Sequence, residues 1–264
     1  MKLITRPKTI TPDINSLFIN KSRKQVAIVG SENNKSTPRA LIYSKIAKKT
    51  ISEVPGLVKS IYDLSHNKEG NLKIRLRGKT KQNKSYICSI IKQNACYEDM
   101  LDNVLIDDYH YLIEFKCDGK TKKYFGKQSN DYQVHSDGRD GFNEMLGLDY
   151  LRKQGLNIVE PYFGFTNGVD KKSFIFYEYM DPKEYLPVDK ALYNDKISSK
   201  NYNLIESLVS GIDAKLSEKH FNHNGVEFYF SDIVPRNVFI NRKTGKLYLY
   251  DPWFSTMKLK NRRG

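Results

Sequence analysis

Asp232, Asn237 and Asp251 are the residues of this 264-residue sequence whose types and spacing could do chemistry. Each borders a short apolar run: Glu-Phe-Tyr-Phe-Ser before Asp232, Val-Phe-Ile after Asn237 and Leu-Tyr-Leu-Tyr before Asp251. A carboxylate at the edge of a buried strand is costly unless a cation or a substrate uses it. Asp232 lies in a loop stiffened by Pro235 and could accept a proton from a hydroxyl. Asn237 and Asp251 offer an amide oxygen and a carboxylate, the hard oxygen donors that magnesium takes.

Elements on both sides must position these groups. Leu204, Leu208, Val209, Ile212 and Leu216 fall at helical spacing and predict an amphipathic helix before the loop, with His220 to Gly225 as a turn. Further upstream, Tyr109 to Cys117 reads as a strand, Asp118-Gly119 as a hairpin turn and Lys123 to Gln128 as the returning strand. Lys127 closes the apolar triplet Tyr124-Phe125-Gly126, which favours it over Lys120, Lys122 and Lys123 as a functional lysine.

A helix is predicted from Gly141 to Gln154, carrying Glu144 beside its apolar stripe and closed by Gly155. Ile158 to Phe165 and Ser173 to Met180 are read as strands joined at Asn167-Gly168, the aromatic run of the second predicting a buried central strand. Asp181-Pro182 breaks this pattern and opens a polar loop expected to run through Lys200.

The first hundred residues carry less chemistry. An extended, loosely packed lead-in of about twenty residues is expected from Pro7 and Pro12. Gln25 to Val29 reads as a strand, and Pro38 to Lys49 as a helix. Gly30 and Lys35-Ser36 between them lack the second glycine, just before the lysine, that a phosphate-binding loop requires. Val54, Leu57, Val58, Ile61 and Leu64 mark a core-facing helix, whereas Leu72, Ile74 and Leu76 alternate with Lys73, Arg75 and Arg77 as in a half-exposed strand. Gly78 to Lys84 turns that strand into another, Tyr86 to Ile91, with no aromatic interleaving to favour nucleic acid.

Composition bounds the class. The chain is 39% hydrophobic and 12% aromatic, inside the globular range, and its formal charge of +14 calls for acidic partners. Cys88, Cys96 and Cys117 show no ligand-like pairing, which favours a reducing compartment. With no apolar run of spanning length and no signal-peptide core, the sequence reads as cytoplasmic without a transmembrane segment; peripheral contact with a membrane through basic residues stays open.

Taken together, these residues resemble the protein-kinase-like superfamily over about residues 105 to 264. Asp232 with Asn237 five residues later is similar to the family's catalytic loop, and Asp251 to its metal-binding aspartate. The resemblance implies ATP and Mg2+ as cofactors. It also implies that Lys127 grips the phosphates, that Glu144 is its helix partner, and that Phe176 to Met180, with Glu178 and Met180, forms the hinge holding adenine. The implied fold is α+β: a two-lobed kinase-like fold with a nucleotide-binding N-lobe (105–181), a truncated catalytic C-lobe (182–264) and an extra N-terminal segment of unknown role (1–104).

The sequence departs from the family's pattern at several points. Phe230 stands where a histidine or tyrosine is often found, Val234 replaces the catalytic-loop lysine, Asp251-Pro252-Trp253 replaces Asp-Phe-Gly, and no glycine-rich loop precedes Tyr109. Gly264 follows Asp251 by thirteen residues, so the peptide-binding helices of ordinary protein kinases are not expected. Similar short chains are lipopolysaccharide-core sugar kinases and minimal bacterial effector kinases. The expected function is ATP- and magnesium-dependent phosphotransfer to an acceptor hydroxyl. The acceptor would be an anionic glycolipid at the inner membrane face, or a protein, the latter after secretion into a host cell; an inactive pseudokinase acting as a binding module is the remaining alternative.

Overall fold

A computed structural model describes residues 9–18, 27–29, 39–42, 53–67, 72–94, 109–130, 147–148, 150–167, 172–218, 221–223, 226–231, 233–250 and 253–258. The architecture is α+β and its sheets are almost wholly antiparallel. Eight strands form the main sheet: β1 (Ala27–Val29), β2 (Arg39–Ile42), β3 (Lys73–Lys79), β4 (Ser85–Asn94), β5 (Tyr109–Cys117), β6 (Lys120–Asn130), β7 (Pro161–Asn167) and β8 (Lys172–Glu178). Their spatial order is β1-β2-β7-β8-β6-β5-β4-β3. Consecutive hairpins account for β3 to β6, but β8 inserts between β6 and β7, so two hairpins distant in sequence share one sheet.

Local chemistry explains these strands. The β5–β6 turn has Asp118 at φ 55° and Gly119 at φ 71°, the two left-handed residues that match hairpin twist. Along β3 the odd positions Lys73, Arg75, Arg77 and Lys79 are exposed while Ile74 and Leu76 turn inward. One sheet face is buried under α1 (Leu57–His66): Leu57, Ile61 and Leu64 share a cluster with Cys88, Ile90, Tyr111, Ile113, Phe115, Tyr124, Phe163, Phe174 and Phe176. Lys92, fully buried on that side, donates from Nζ to the Asn67 carbonyl at 2.5 Å just past the end of α1, which answers a helix-terminal acceptor with a positive charge.

A second cluster lies beyond the other face. It joins Leu148 and Leu151 from the helical turns at 147–148 and 150–153 (α2), Ile175 and Tyr177 of β8, and the C-terminal elements. Those elements are β9 (Tyr185–Pro187), α3 (Val188–Tyr193), α4 (Ser199–Ser217), β10 (Phe221–His223), β11 (Val226–Ser231), β12 (Val238–Asn241), β13 (Leu247–Leu249) and β14 (Trp253–Lys258). They make two three-stranded sheets, β10-β11-β14 and β13-β12-β9. Ser198 caps α4 by accepting from the Asn201 amide, and Ile205, Val209, Ile212 and Leu216 form its buried stripe.

Several expectations change. Residues 9–18 are not a loose lead-in: Ile10 and Leu17 belong to the second core, and Ser16 Oγ accepts from the Leu247 amide at 2.8 Å. Arg39–Ile42, expected to be helical, is strand β2 paired with β7, and hydrogen bonding to a sheet neighbour overrides weak local preference. The polar stretch after Asp181 contains β9 and α3, because Leu186, Val188 and Ala191 are buried at positions that composition alone does not expose. Phe221–His223, expected as part of a turn, pairs with β11. Within the segment 1–104, β3 and β4 continue the same sheet as β5 and β6.

Candidate active site

Lys127 sits on β6 in a row that crosses four strands. Register pairs Gln93 with His110, His110 with Lys127 and Lys127 with Ile175. Residues directly opposite in antiparallel strands share a face, so the Lys127 side chain is on the face of Ile175, the face of the second core and away from α1. The competing lysines are disposed differently. Lys123 lies 3.2 Å from Glu114 and 5.4 Å from the Tyr179 ring centre, while Lys120 and Lys122 are exposed near the hairpin turn. Lys127 alone of the four is half-buried and paired with a residue of the second core.

Gly126 makes the approach of β8 to β6 close. A Cβ there would fall inside van der Waals contact with the Phe176 ring, which is itself stacked on Phe163 at 4.5 Å. The Phe176 ring of β8 therefore covers the backbone next to the lysine.

Asn237 is positioned by a turn and a strand end. Pro235–Asn237 is a 3-10 turn in which the Asn237 amide donates to the Val234 carbonyl at 2.9 Å. β12 then pairs with β13, and the chain leaving β13 returns to the turn: the Tyr250 amide donates to the Asn237 carbonyl at 2.7 Å. The Tyr250 ring meets Tyr177 at 5.1 Å and Phe239 at 5.4 Å, both edge-on. Since Tyr177 pairs with Phe125, two residues from Lys127, the lysine's sheet face and the Asn237 turn are joined through one aromatic contact.

Asp232, Asp251 and Glu144 lie outside the described residues. Near the two aspartates in the chain, Ser231 pairs with Trp253 across β11 and β14, and Ile233, next to Asp232, is buried. Asp213 on α4 accepts from the Ile233 amide at 3.1 Å through Oδ1. Sequence reasoning missed Asp213; the signal was a carboxylate on the apolar stripe next to Ile212, one turn before the helix end. It also missed why Phe230 is apolar: the ring is buried and stacked on Tyr150 of α2 at 5.3 Å, linking the helix to the loop.

The two residues expected in a hinge divide. Met180 is half-buried and packs against the second core. Glu178 pairs with Tyr124, so its side chain shares the Tyr124 face and not the Lys127 face; the structure does not bring the two side chains together. Its amide donates to the Glu160 carbonyl at 2.8 Å. Desolvation, and then the nearby Glu160 carboxylate, raise the Glu178 carboxyl above the usual range. Arg152 holds Glu160 at 3.0 Å.

A second tie steadies the strand behind the site. The Val159 amide donates to the Leu249 carbonyl and the Leu249 amide to the Asn157 carbonyl, each at 2.8 Å, while the Asn157 side-chain amide donates to the Leu247 carbonyl at 2.7 Å. The segment that follows α2 is thus bonded along β13, whose next residue is Tyr250. Among the described residues, no group of three or more His, Cys, Asp and Glu side chains is gathered to hold a metal ion. No described helix is long and apolar enough to cross a membrane. Searches of protein families, curated proteins and solved structures find no match to the chain.

Proposed function

We propose that the chain is an ATP- and magnesium-dependent phosphotransferase of minimal kinase-like fold, acting on a hydroxyl of an anionic acceptor. The Tyr250–Asn237 hydrogen bond carries this reading: it joins the end of the loop after Asp232 to the residue before Asp251, two segments that the reaction requires at one point. The order strand, strand, helical turns, strand, strand from β5 to β8 also supports a kinase-like nucleotide-binding lobe.

In this reading Asn237 and Asp251 would hold magnesium, which bound with ATP supplies charge neutralisation on the triphosphate. Lys127 would balance the remaining negative charge from the sheet face opposite α1, with Glu144 as its helix partner. Asp232 would accept the acceptor hydroxyl's proton, and Asp213 would hold the adjacent Ile233 backbone in place. The formal charge of +14 favours an anionic acceptor, such as a sugar of a lipopolysaccharide core.

The test is a thermal shift with ATP, with and without magnesium, on wild type and Asp251→Ala, together with labelled-phosphate transfer by wild type and Asp232→Ala. Ligand at a hundred times its dissociation constant stabilises by about 2.7 kcal/mol. The expected result is magnesium-dependent stabilisation lost in Asp251→Ala, and transfer lost in Asp232→Ala. Equal stabilisation of both proteins, or transfer that survives Asp232→Ala, would overturn the proposal.

A further inference from the structure

The outer face of β3, β4 and β5 is a basic surface that the phosphotransfer reading does not use. Lys73, Arg75, Arg77 and Lys79 project from the edge strand at every second position and all are exposed. Register continues their rows across the sheet: Arg77 is opposite Ile87, and Ile87 is opposite Lys116. Lys116 is exposed, and Ile87, with 39% of its surface accessible, is one of the exposed large hydrophobic residues. An isoleucine therefore stands between an arginine and a lysine on an open sheet.

Charge on this face is not internally neutralised. Among the described residues, none of Lys73, Arg75, Arg77, Lys79 and Lys116 forms a salt bridge, while the acid of the same face, Glu114, is held by Lys123 at 3.2 Å. Asp118, at the nearby turn, is taken up by Lys84. Packing rules out the opposite disposition: Leu72, Ile74 and Leu76 are drawn into the core under α1, which commits the cations to the outside. Spacing along the strand is about 6.7 Å between successive cations.

We infer that the outer face of β3–β5 docks on an anionic phospholipid bilayer, the five cations meeting headgroups and Ile87 entering the interface between them. Clusters of four to eight cations are drawn to an anionic membrane surface, each contributing roughly a fivefold gain in partitioning. Apolar contact adds the second signal that stable peripheral binding needs. Charge alone would also suit a nucleic acid, but single-stranded binding relies on exposed aromatic platforms, and the exposed apolar residue here is an isoleucine. β4 is paired on both sides, so this hairpin cannot enter a duplex groove as a free ribbon. The inference is independent of the phosphotransfer reading.

The full chain is tested by co-sedimentation with phosphatidylcholine vesicles, with and without 30% phosphatidylglycerol, at low and high salt. Expected is binding that requires the anionic lipid and weakens with salt. Arg75→Glu with Arg77→Glu lowers partitioning at least about twenty-five-fold, Arg75→Lys with Arg77→Lys retains it, and Ile87→Ser weakens it at unchanged charge. Matching unfolding transitions for the variants separate surface loss from misfolding, and if the double glutamate variant is unfolded, Lys73→Gln with Lys79→Gln replaces it. Equal sedimentation with neutral vesicles, or undiminished binding by the folded charge variants, would overturn the inference. So would preference for a 20-mer oligonucleotide that competes the protein off anionic vesicles through these same residues.

Discussion

The amide of Tyr250 donates to the carbonyl of Asn237 at 2.7 Å, while the Tyr250 ring rests edge-on against Tyr177 at 5.1 Å. Backbone thus fixes the strand end to the 3-10 turn, and the ring fixes both to the main sheet. The main-chain bond does not depend on the Asn237 side chain.

Asn237→Ala keeps that bond and is therefore expected to retain cooperative unfolding, with a loss of about 1 kcal/mol, typical of a point substitution. Magnesium-dependent stabilisation by ATP should weaken by roughly tenfold or more in apparent affinity, as when support for a bound metal is removed. Chemical denaturation and a magnesium titration at fixed ATP measure the two effects. A large loss of stability with the metal response unchanged would assign the side chain a structural role instead.

Asp213 is predicted to act through the loop. Removing its acceptor in Asp213→Ala leaves the Ile233 amide without its α4 partner and costs about 1.5–3 kcal/mol, the range for a hydrogen bond to a charged group. Asp213→Asn keeps an oxygen in the same position and should recover most of that loss. Urea denaturation of the pair, beside labelled-phosphate transfer, distinguishes positioning from a general packing defect: transfer should fall in the alanine variant by more than its unfolded fraction explains and return in the asparagine variant.

Elements whose local pattern agrees with their tertiary setting were legible in the sequence. The β3 alternation, the Asp118-Gly119 turn and the buried Phe174–Tyr177 run all appear where their chemistry predicts. Arg39–Ile42 was not legible, because four residues carry neither period and only pairing with β7 makes them a strand. Nor could the sequence reveal that β8 lies between β6 and β7, which is what puts the strand of Lys127 beside the aromatic strand. Type and spacing singled out Lys127 and Asn237, which the structure places on the sheet face of Ile175 and in the 3-10 turn bonded to Tyr250. Asp213 and the Phe230–Tyr150 stack were not, since each is defined by a partner distant in sequence.

Gly126→Ala tests the close approach of β8 to β6. Its added methyl meets the Phe176 ring, which is fully buried and stacked on Phe163, so the ring has little room to give. Overpacking of this kind costs about 1–3 kcal/mol. Displacement of the strand next to Lys127 should also weaken ATP-dependent stabilisation, read in the same thermal-shift assay. A variant as stable as wild type would mean that the sheet accommodates the methyl freely.

Gly245 holds the N-terminal segment against the β12–β13 turn. Its φ of 72° disfavours any side chain, and an added Cβ would collide with the Thr11 carbonyl, a backbone atom that cannot rotate away. The Asp13 amide donates to the Gly245 carbonyl at 2.8 Å, so the collision also strains that bond. Gly245→Ala should destabilise by at least about 1–2 kcal/mol and speed proteolytic cleavage within residues 9–18. Unchanged cleavage there would detach this segment from the stability of the second core.

Glu178 provides a pH signature. Its carboxyl is raised first by desolvation and then by Glu160, so the folded state binds this proton more tightly than the unfolded chain does. Ionisation at neutral pH therefore opposes folding, and the opposition fades as pH falls through the raised value and is gone below the ordinary 4.5. Glu178→Gln removes the charge without removing the side chain's reach. Its midpoint of thermal unfolding should exceed that of wild type at pH 7, with the difference closing as the pH is lowered toward 4. Melting curves across that interval decide the matter: a difference that stays constant with pH would mean that the substitution acts through packing beside Tyr124 and not through the Glu178 charge.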